Sequence, residues 1–464
     1  MVFSSIPFLF FFFPFCLICY YLTPNRFKNY TLLVFSLFFY AWGEPIYILL
    51  MIFSTLVDFL NGRLLSKNNN KKTRRKFLFI AILINLSLLG FFKYTDLLIE
   101  TINFIFNTNI SPLNITLPIG ISFYTFQTMS YSIDVYRKDV EPETNYFRYL
   151  TYISMFPQLI AGPIVRYETI NRELHKRTIV FDNVCKGFLR FLNGLFKKVL
   201  IGNNIGYLNS LIMNSDLYSQ SILTLWLGII AFALQIYFDF SGYSDMAIGM
   251  GKMLGFSFDE NFDYPYASRS ITEFWRRWHI SLSTWFRDYV YIPLGGNRKG
   301  LRKQIRNILF VWALTGIWHG ASWNYLLWGI YYGVILVIEK VFLTRYIEKW
   351  PNILKHLYTI ILLIIGWAIF SIEDVSVLQN YLKLMLTPTL PLIDSNFIFY
   401  ISNYALILIL GTVFSFPIVK KIPKLAERNI LTKILFAIIY IVLFIASVAY
   451  LVSDTYNPFM YFRF

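Results

Sequence analysis

Charge is scarce in this chain. Only 15% of its 464 residues are Asp, Glu, Lys or Arg, whereas a soluble domain carries about a quarter, so the charged surface of a water-soluble globule is missing. The mean hydropathy of +0.53 fits a lipid environment instead. Cysteine is scarce too: Cys16 and Cys19 share one apolar run and Cys185 stands alone, which implies no disulfide framework and makes the first pair small apolar packing residues. The four histidines, His175, His279, His319 and His356, lie too far apart for metal-ligand spacing, and no metal site is expected. No internal repeat occurs, which weakens a transporter reading, and the low-complexity stretch Asn68 to Lys72 is short.

What is present is apolar and aromatic, at 56% and 20% of residues. The uncharged opening MVFSSIPFLFFFFPFCLICYYL lacks the basic n-region and small-residue cleavage site of a signal peptide, so it is expected to stay as a first membrane span. A net charge of +16 invites a nucleic-acid reading, but the Lys and Arg cluster in short loops between apolar runs, as the positive-inside rule expects. The firmest cytoplasmic loop is Asn61 to Lys76, holding Arg63, Lys67, Lys71, Lys72, Arg74, Arg75 and Lys76 without an acid. Arg166 to Lys198, Arg269 to Arg306 and Lys420 to Lys433 follow as cytoplasmic. Asp96 to Thr116, Tyr207 to Ser221 and Glu373 to Asn396 follow as extracytoplasmic.

Runs of the required ~20 residues fall near 6–22, 27–43, 45–60, 77–95, 187–206, 222–250, 307–321, 323–343, 357–372, 399–419 and 434–452. The segments 117–136 and 147–165 are interrupted by Pro118, Gly120, Pro157, Gly162 and Pro163 and are read as re-entrant candidates. The expectation is an all-α, polytopic protein of about 11 spans plus re-entrant pieces, one domain over 1–464, multi-pass in the inner or plasma membrane.

Within this oily background two places carry chemistry. His319 sits in LTGIWHGASWNYLLWG, whose only other ionisable side chain is Tyr325. A titratable group in hydrocarbon is costly enough to mark a reaction or transport path, although a core histidine bonded to a helix carbonyl is the plainer alternative. The second place is 237–300, where Trp275, Trp278 and Trp285 interleave with Arg269, Arg276, Arg277 and Arg287 around His279. Trp and Arg also anchor interfacial helices, so these arginines fit a headgroup contact equally well. Asp239, Ser241, Tyr243, Ser244 and Asp245 in one apolar helix fit either a tunnel lining or structural ion pairs.

The stretches ITEFWRRWHISLSTWFRDYVYIPLGGNR and LTGIWHGASWNYLLWG, with YFDFSGYSDMAIG at 237–249 and YAWGEP at 40–45, closely resemble the membrane-bound O-acyltransferase superfamily, in its bacterial branch of alginate and other polysaccharide O-acetylation proteins. The resemblance implies that superfamily's helical fold with a central tunnel and a catalytic core about 117–343. It implies His319 as the catalytic histidine and His279, in a Trp-x-x-Trp-His context, as a second polar group. A neutral imidazole suits removal of a hydroxyl proton during attack on a thioester, so His319 would be the general base, while His279 would orient the acceptor or hydrogen-bond the oxyanion. Weaker substrate or tunnel candidates are Asp239, Ser241, Tyr243, Trp278, Arg276, Trp318, Gly320 and Asn324. Gly316, Gly320 and Ala321 would leave room for an acetyl group, and Arg298, Lys299 and Arg302, with Lys303 and Arg306, would attract donor phosphates.

The implied activity is transfer of acetyl from cytosolic acetyl-CoA, as donor substrate with no bound cofactor, across the membrane for O-acetylation of a polysaccharide. A serine-hydrolase-like extracytoplasmic partner protein would complete it. The alternatives are D-alanyl transfer to teichoic acid, and a transporter or flippase with His319 in its path. No nucleic-acid partner is expected.

Overall fold

The computed structural model describes residues 1–160, 162–421, 429–453, 456–458 and 460, and among these no strand occurs. Part of the basic stretch 420–433 falls outside them. Each of the eleven expected spans has its helix, and seven helices are long and apolar enough to cross a membrane: Tyr47–Lys67, Lys71–Phe106, Ile222–Met253, Trp323–Ile347, Asn352–Ser371, Ser395–Phe414 and Ile430–Ser453. The chain is therefore a multi-pass membrane protein. Ile222–Met253 is mostly buried inside the protein, whereas Ser395–Phe414 and Ile430–Ser453 present nearly all of their surface outward, which apolar side chains tolerate only in lipid or against another apolar surface.

Contacts group the described chain into two units, Met1–Phe191 with Ser244–Asp259, and Leu192–Tyr243 with Glu260–Phe464. In the first, Lys71–Phe106 is one helix of 36 residues, about 54 Å at ~1.5 Å per residue. It absorbs both the basic segment 71–76 and the acidic segment from Asp96, each expected to be loop, because Lys, Arg, Glu and Leu are good helix formers whether or not they lie in lipid. Asn70 caps its start by accepting from the Lys72 amide, and Asn107 ends it in the left-handed region. The segment 117–136 also differs from expectation. Pro118 and Gly120 precede rather than interrupt an unbroken helix, Ile121–Arg137, which Gly120 starts at a φ of +78°. Two of its polar residues pair within the unit: Ser132 donates to Asp58, and Thr128 to Asn85, which itself donates to both Asp58 oxygens. The segment 147–165 is broken as expected, into Tyr146–Ser154 and Phe156–Leu159, with Pro157 in the first turn of the second piece, where its missing N–H costs nothing.

The second unit is organised by a helical hairpin. Leu301–His319 and Trp323–Ile338 are joined by the three residues Gly320, Ala321 and Ser322. The helices approach backbone to backbone because Gly316 and Gly329 face each other, and a Cβ on either would strike a carbonyl oxygen of the opposite helix. The span expected to run to 321 ends at His319, since Gly320 is already extended. His319 is thus the last residue of its helix, at the apex of the hairpin, and not in the middle of a span.

Candidate active site

His319 is buried, and aromatic rings surround it. Trp318 and Trp328 each lie 5.0 Å from its ring centroid and Phe370 lies at 5.4 Å. Phe370 comes from Asn352–Ser371 and is held in place from the hairpin, where Asn324 donates from Nδ2 to the carbonyls of Ile369 and Phe370 at 3.1 and 3.2 Å. Asn324, one of the expected substrate or tunnel residues, fixes through its Nδ2 the helix end that carries one wall of the histidine cage.

His279 reaches the same cage from a break in the chain. Helix Ile271–Arg277 stops, Trp278 is extended, and His279 takes left-handed values of φ 45° and ψ 55° before helix Ile280–Phe286 begins. A non-glycine residue there is uncommon, and such outliers cluster where geometry serves function. The break persists because the Ile280 amide donates to the Asn261 carbonyl at 3.0 Å, and the Asp263 amide to that of Arg277 at 3.0 Å. Its imidazole packs edge-on to Phe240 at 4.7 Å and lies 6.3 Å from Trp318. Trp318 therefore touches both histidines, which are forty residues apart in sequence, and joins them in one aromatic pocket. Burial pushes the His279 imidazole down to about 3, so its ring is neutral at physiological pH.

The other end of helix Ile271–Arg277 is clamped as well. Ser270 caps it by accepting from the Glu273 amide, and Glu273 accepts from the amide of Arg269, the residue before the cap. Glu339, buried where Trp323–Ile338 passes into a π-turn, accepts from the amides of Ile271 and Thr272 and from the hydroxyls of Thr272 and Tyr358 at 2.6–3.1 Å. Replacing Glu339 with Ala should cut transfer about 10- to 100-fold by letting this helix and His279 shift, while Glu339→Gln, which keeps one acceptor, should lose less. Initial rates on equal amounts of folded protein check this, and equal activity in all three proteins would refute the clamp.

The remaining expected residues divide. Trp278 is buried among aromatics, 5.5 Å from Phe274 and 4.9 Å from Trp367, and supports the break rather than facing outward. The space expected beside Gly320 is taken by the Tyr325 ring, which a Cβ on Gly320 would strike, so this glycine serves packing. Asp239 is buried in an ion pair with Lys198 at 2.7 Å and also accepts from the Met460 amide at 3.0 Å. Lys198 further donates to Asn203 and to the Pro458 carbonyl. Asp245 pairs with Arg190 at 2.6 Å. Both carboxylates thus have a basic partner, while Ser241, Tyr243 and Ser244 are buried in the same helix. Arg276 is exposed, as are Arg298, Lys299, Arg302 and Lys303 at the start of the hairpin. Arg306 is committed to Asn307 Oδ1 at 2.8 Å, and Asn307 pins the preceding turn through the carbonyls of Leu294 and Gly296. Phe240 and Trp328 lie in the motif stretches but are not among the expected residues, while Asn261, Phe370, Glu339 and Lys198 have no local sequence signal that marks them, because each acts through a partner distant in the chain. Among the described residues no group of His, Cys, Asp and Glu is placed to hold a metal ion.

A histidine buried in an aromatic cage, with a second histidine across one indole, suits base-assisted attack of a hydroxyl on an acyl carbonyl. The comparisons agree with that chemistry. Residues 140–382, which contain both histidines, match the model of the membrane-bound O-acyltransferase family. Over its whole length the chain is 37% identical to the whole of a probable alginate O-acetylase AlgI of Pseudomonas putida. It is 32% identical to a peptidoglycan O-acetyltransferase of Helicobacter pylori, covering 83% of this chain and 79% of that one. It is also 30% identical to a teichoic acid D-alanyltransferase of Bacillus subtilis, over 56% of this chain and 70% of that one. With its buried histidine pair and its similarity along the full length, the chain belongs to the membrane-bound O-acyltransferase family and is an O-acyltransferase.

Proposed function

We propose that the protein transfers acetyl from cytosolic acetyl-CoA, through a tunnel past His319 and His279, to the extracytoplasmic side, where a serine-hydrolase-like partner passes it to polysaccharide hydroxyls. The observation that carries this reading is the joining of His319 and His279 by Trp318 in one aromatic cage, in a chain similar end to end to a probable alginate O-acetylase. Arg298, Lys299 and Arg302, exposed at the head of the helix that ends in His319, supply the positive charge suited to donor phosphates. From Arg302 to His319 is about 25 Å along the helix at ~1.5 Å per residue, so a donor held at this end needs a path most of the way through a ~30 Å core.

The test is radiolabelled acetyl-CoA supplied to one side of proteoliposomes containing the protein. Label transferred to an acceptor on the opposite side, with free CoA released on the donor side, supports the reading. Transfer that requires a D-alanyl-carrier thioester instead would favour the second reading, to which the similarity to a teichoic acid D-alanyltransferase lends support over about half the chain. Flux driven by an ion gradient without any thioester would point to a transporter. The orientation has its own check: a cysteine at Asn69 should react with an impermeant thiol reagent only from the cytoplasmic side, and one at Thr389 only from outside. Both positions are exposed, and the reverse labelling would overturn the donor-side assignment.

A further inference from the structure

Asn261 lies eighteen residues before His279 in a loop without regular structure, yet it is fully buried and bound to the segment 279–281 at four points. Its backbone carbonyl accepts from the Ile280 amide at 3.0 Å. Its side-chain Oδ1 accepts from the Ser281 amide at 3.3 Å and from the Ser281 hydroxyl at 2.9 Å, and lies 3.1 Å from His279 Nδ1.

The backbone amide is decisive, because an N–H only donates. The Asn261 atom facing it must therefore be the oxygen and not the amide nitrogen, which settles the orientation of a side chain whose two ends are otherwise interchangeable. An oxygen 3.1 Å from Nδ1 requires the proton to sit on Nδ1. The Ser281 hydroxyl, 3.5 Å from Nδ1, gives its own proton to Asn261 and so accepts from the same side. A neutral imidazole carries one N–H, and with that proton on Nδ1 the other nitrogen holds a lone pair.

We infer that Asn261 holds His279 as its Nδ1–H tautomer, which makes Nε2 a hydrogen-bond acceptor and Asn261 a positioning residue for acyl transfer. The inference rests on the acyl-transfer reading for its consequence and on hydrogen-bond geometry for its content. It assigns a role that the sequence leaves open: a neutral His279 of this tautomer has no N–H at Nε2 to offer an oxyanion. It takes a hydrogen bond from an O–H or N–H of the bound substrate. Charge developing on the thioester oxygen is then met by other donors.

The experiment uses the full chain in detergent with ¹⁵N-labelled histidine. Only four histidines occur, and His279→Ala identifies the signals of His279 by their loss. The nitrogen shifts of wild type should show a protonated Nδ1 and an unprotonated Nε2 in the absence of any substrate. Asn261→Leu should move His279 toward the other tautomer or a mixture and lower kcat for acetyl transfer from acetyl-CoA by about 10²-fold with KM little changed. Asn261→Asp keeps an oxygen at the same place, so it should keep the proton on Nδ1 and recover most of the loss. A protonated Nε2 in active wild-type protein would overturn the inference, and so would an unaltered tautomer in a folded Asn261→Leu. Because the tautomer is read without substrate, failure of the acyl-transfer reading would leave that result standing and is recognised separately, by absent transfer in the wild type.

Discussion

Replacing His319 with Ala should reduce acyl transfer about 10²- to 10⁴-fold while leaving the protein inserted and folded. The magnitude is that of a lost general base. The fold should survive because His319 is the last residue of its helix, so the change breaks no mid-helix packing. The rings around it, from Trp318, Trp328 and Phe370, also pack on other partners: Trp328 lies 5.3 Å from Tyr332 and Phe370 5.7 Å from Trp367. The variant leaves a small apolar void, which costs some stability but exposes no charge. The measurement is the initial rate of acetyl transfer at matched amounts of monodisperse protein. Transfer at the wild-type rate would return His319 to a structural role and leave the aromatic cage without a reacting group.

The second large effect concerns stability, at Lys198. Its ammonium and the Asp239 carboxylate are both almost fully buried and meet at 2.7 Å. Lys198→Met should destabilise the protein by about 3–5 kcal/mol, since removing one partner leaves the other charge buried and uncompensated. The fall appears as a lower unfolding midpoint in detergent and a lower yield. Pairing the change with Asp239→Leu removes both charges and should recover much of the loss, because two apolar side chains of similar size are often as stable as the pair they replace. Transfer per folded molecule should stay close to wild type in the double variant. If instead the double variant were stable and inactive, Asp239 would belong to the reaction path, the alternative its position in an apolar helix left open.

These two residues also show where sequence reading reaches its end. The membrane class, the helices and their approximate limits were legible because lipid imposes a simple rule: a backbone in hydrocarbon must satisfy its own hydrogen bonds, so long apolar runs become helices. His319 and His279 were legible because a titratable ring among apolar neighbours is expensive, and because the motifs around them resemble a known family. Legible too was the alternative that Asp239 serves an ion pair, though its partner proved to be a lysine on another helix.

The tertiary structure decided matters that depend on residues far apart in the chain. Glycine at 320 reads as empty space in sequence and is filled by Tyr325 in space, because smallness says only that a neighbour is close and not which one. Pro118 and Gly120 read as interruptions of a helix and proved to precede it, since either residue breaks a helix interior but does no such harm ahead of the first turn. Asn324 and Glu339 read as a candidate contact and an ordinary charge, and each holds the end of another helix through orphan backbone groups. Asn261 carried no signal at all, because its effect passes through one oxygen that meets an amide, a hydroxyl and an imbedded imidazole only after the chain has folded back across eighteen residues. Sequence alone determined the solvent, the helices and the two histidines that mark the candidate site. Folding decided which faces meet, and with them the cage around His319 and the tautomer of His279, because hydrogen-bond partners and close packing are set by distance in space and not by spacing along the chain.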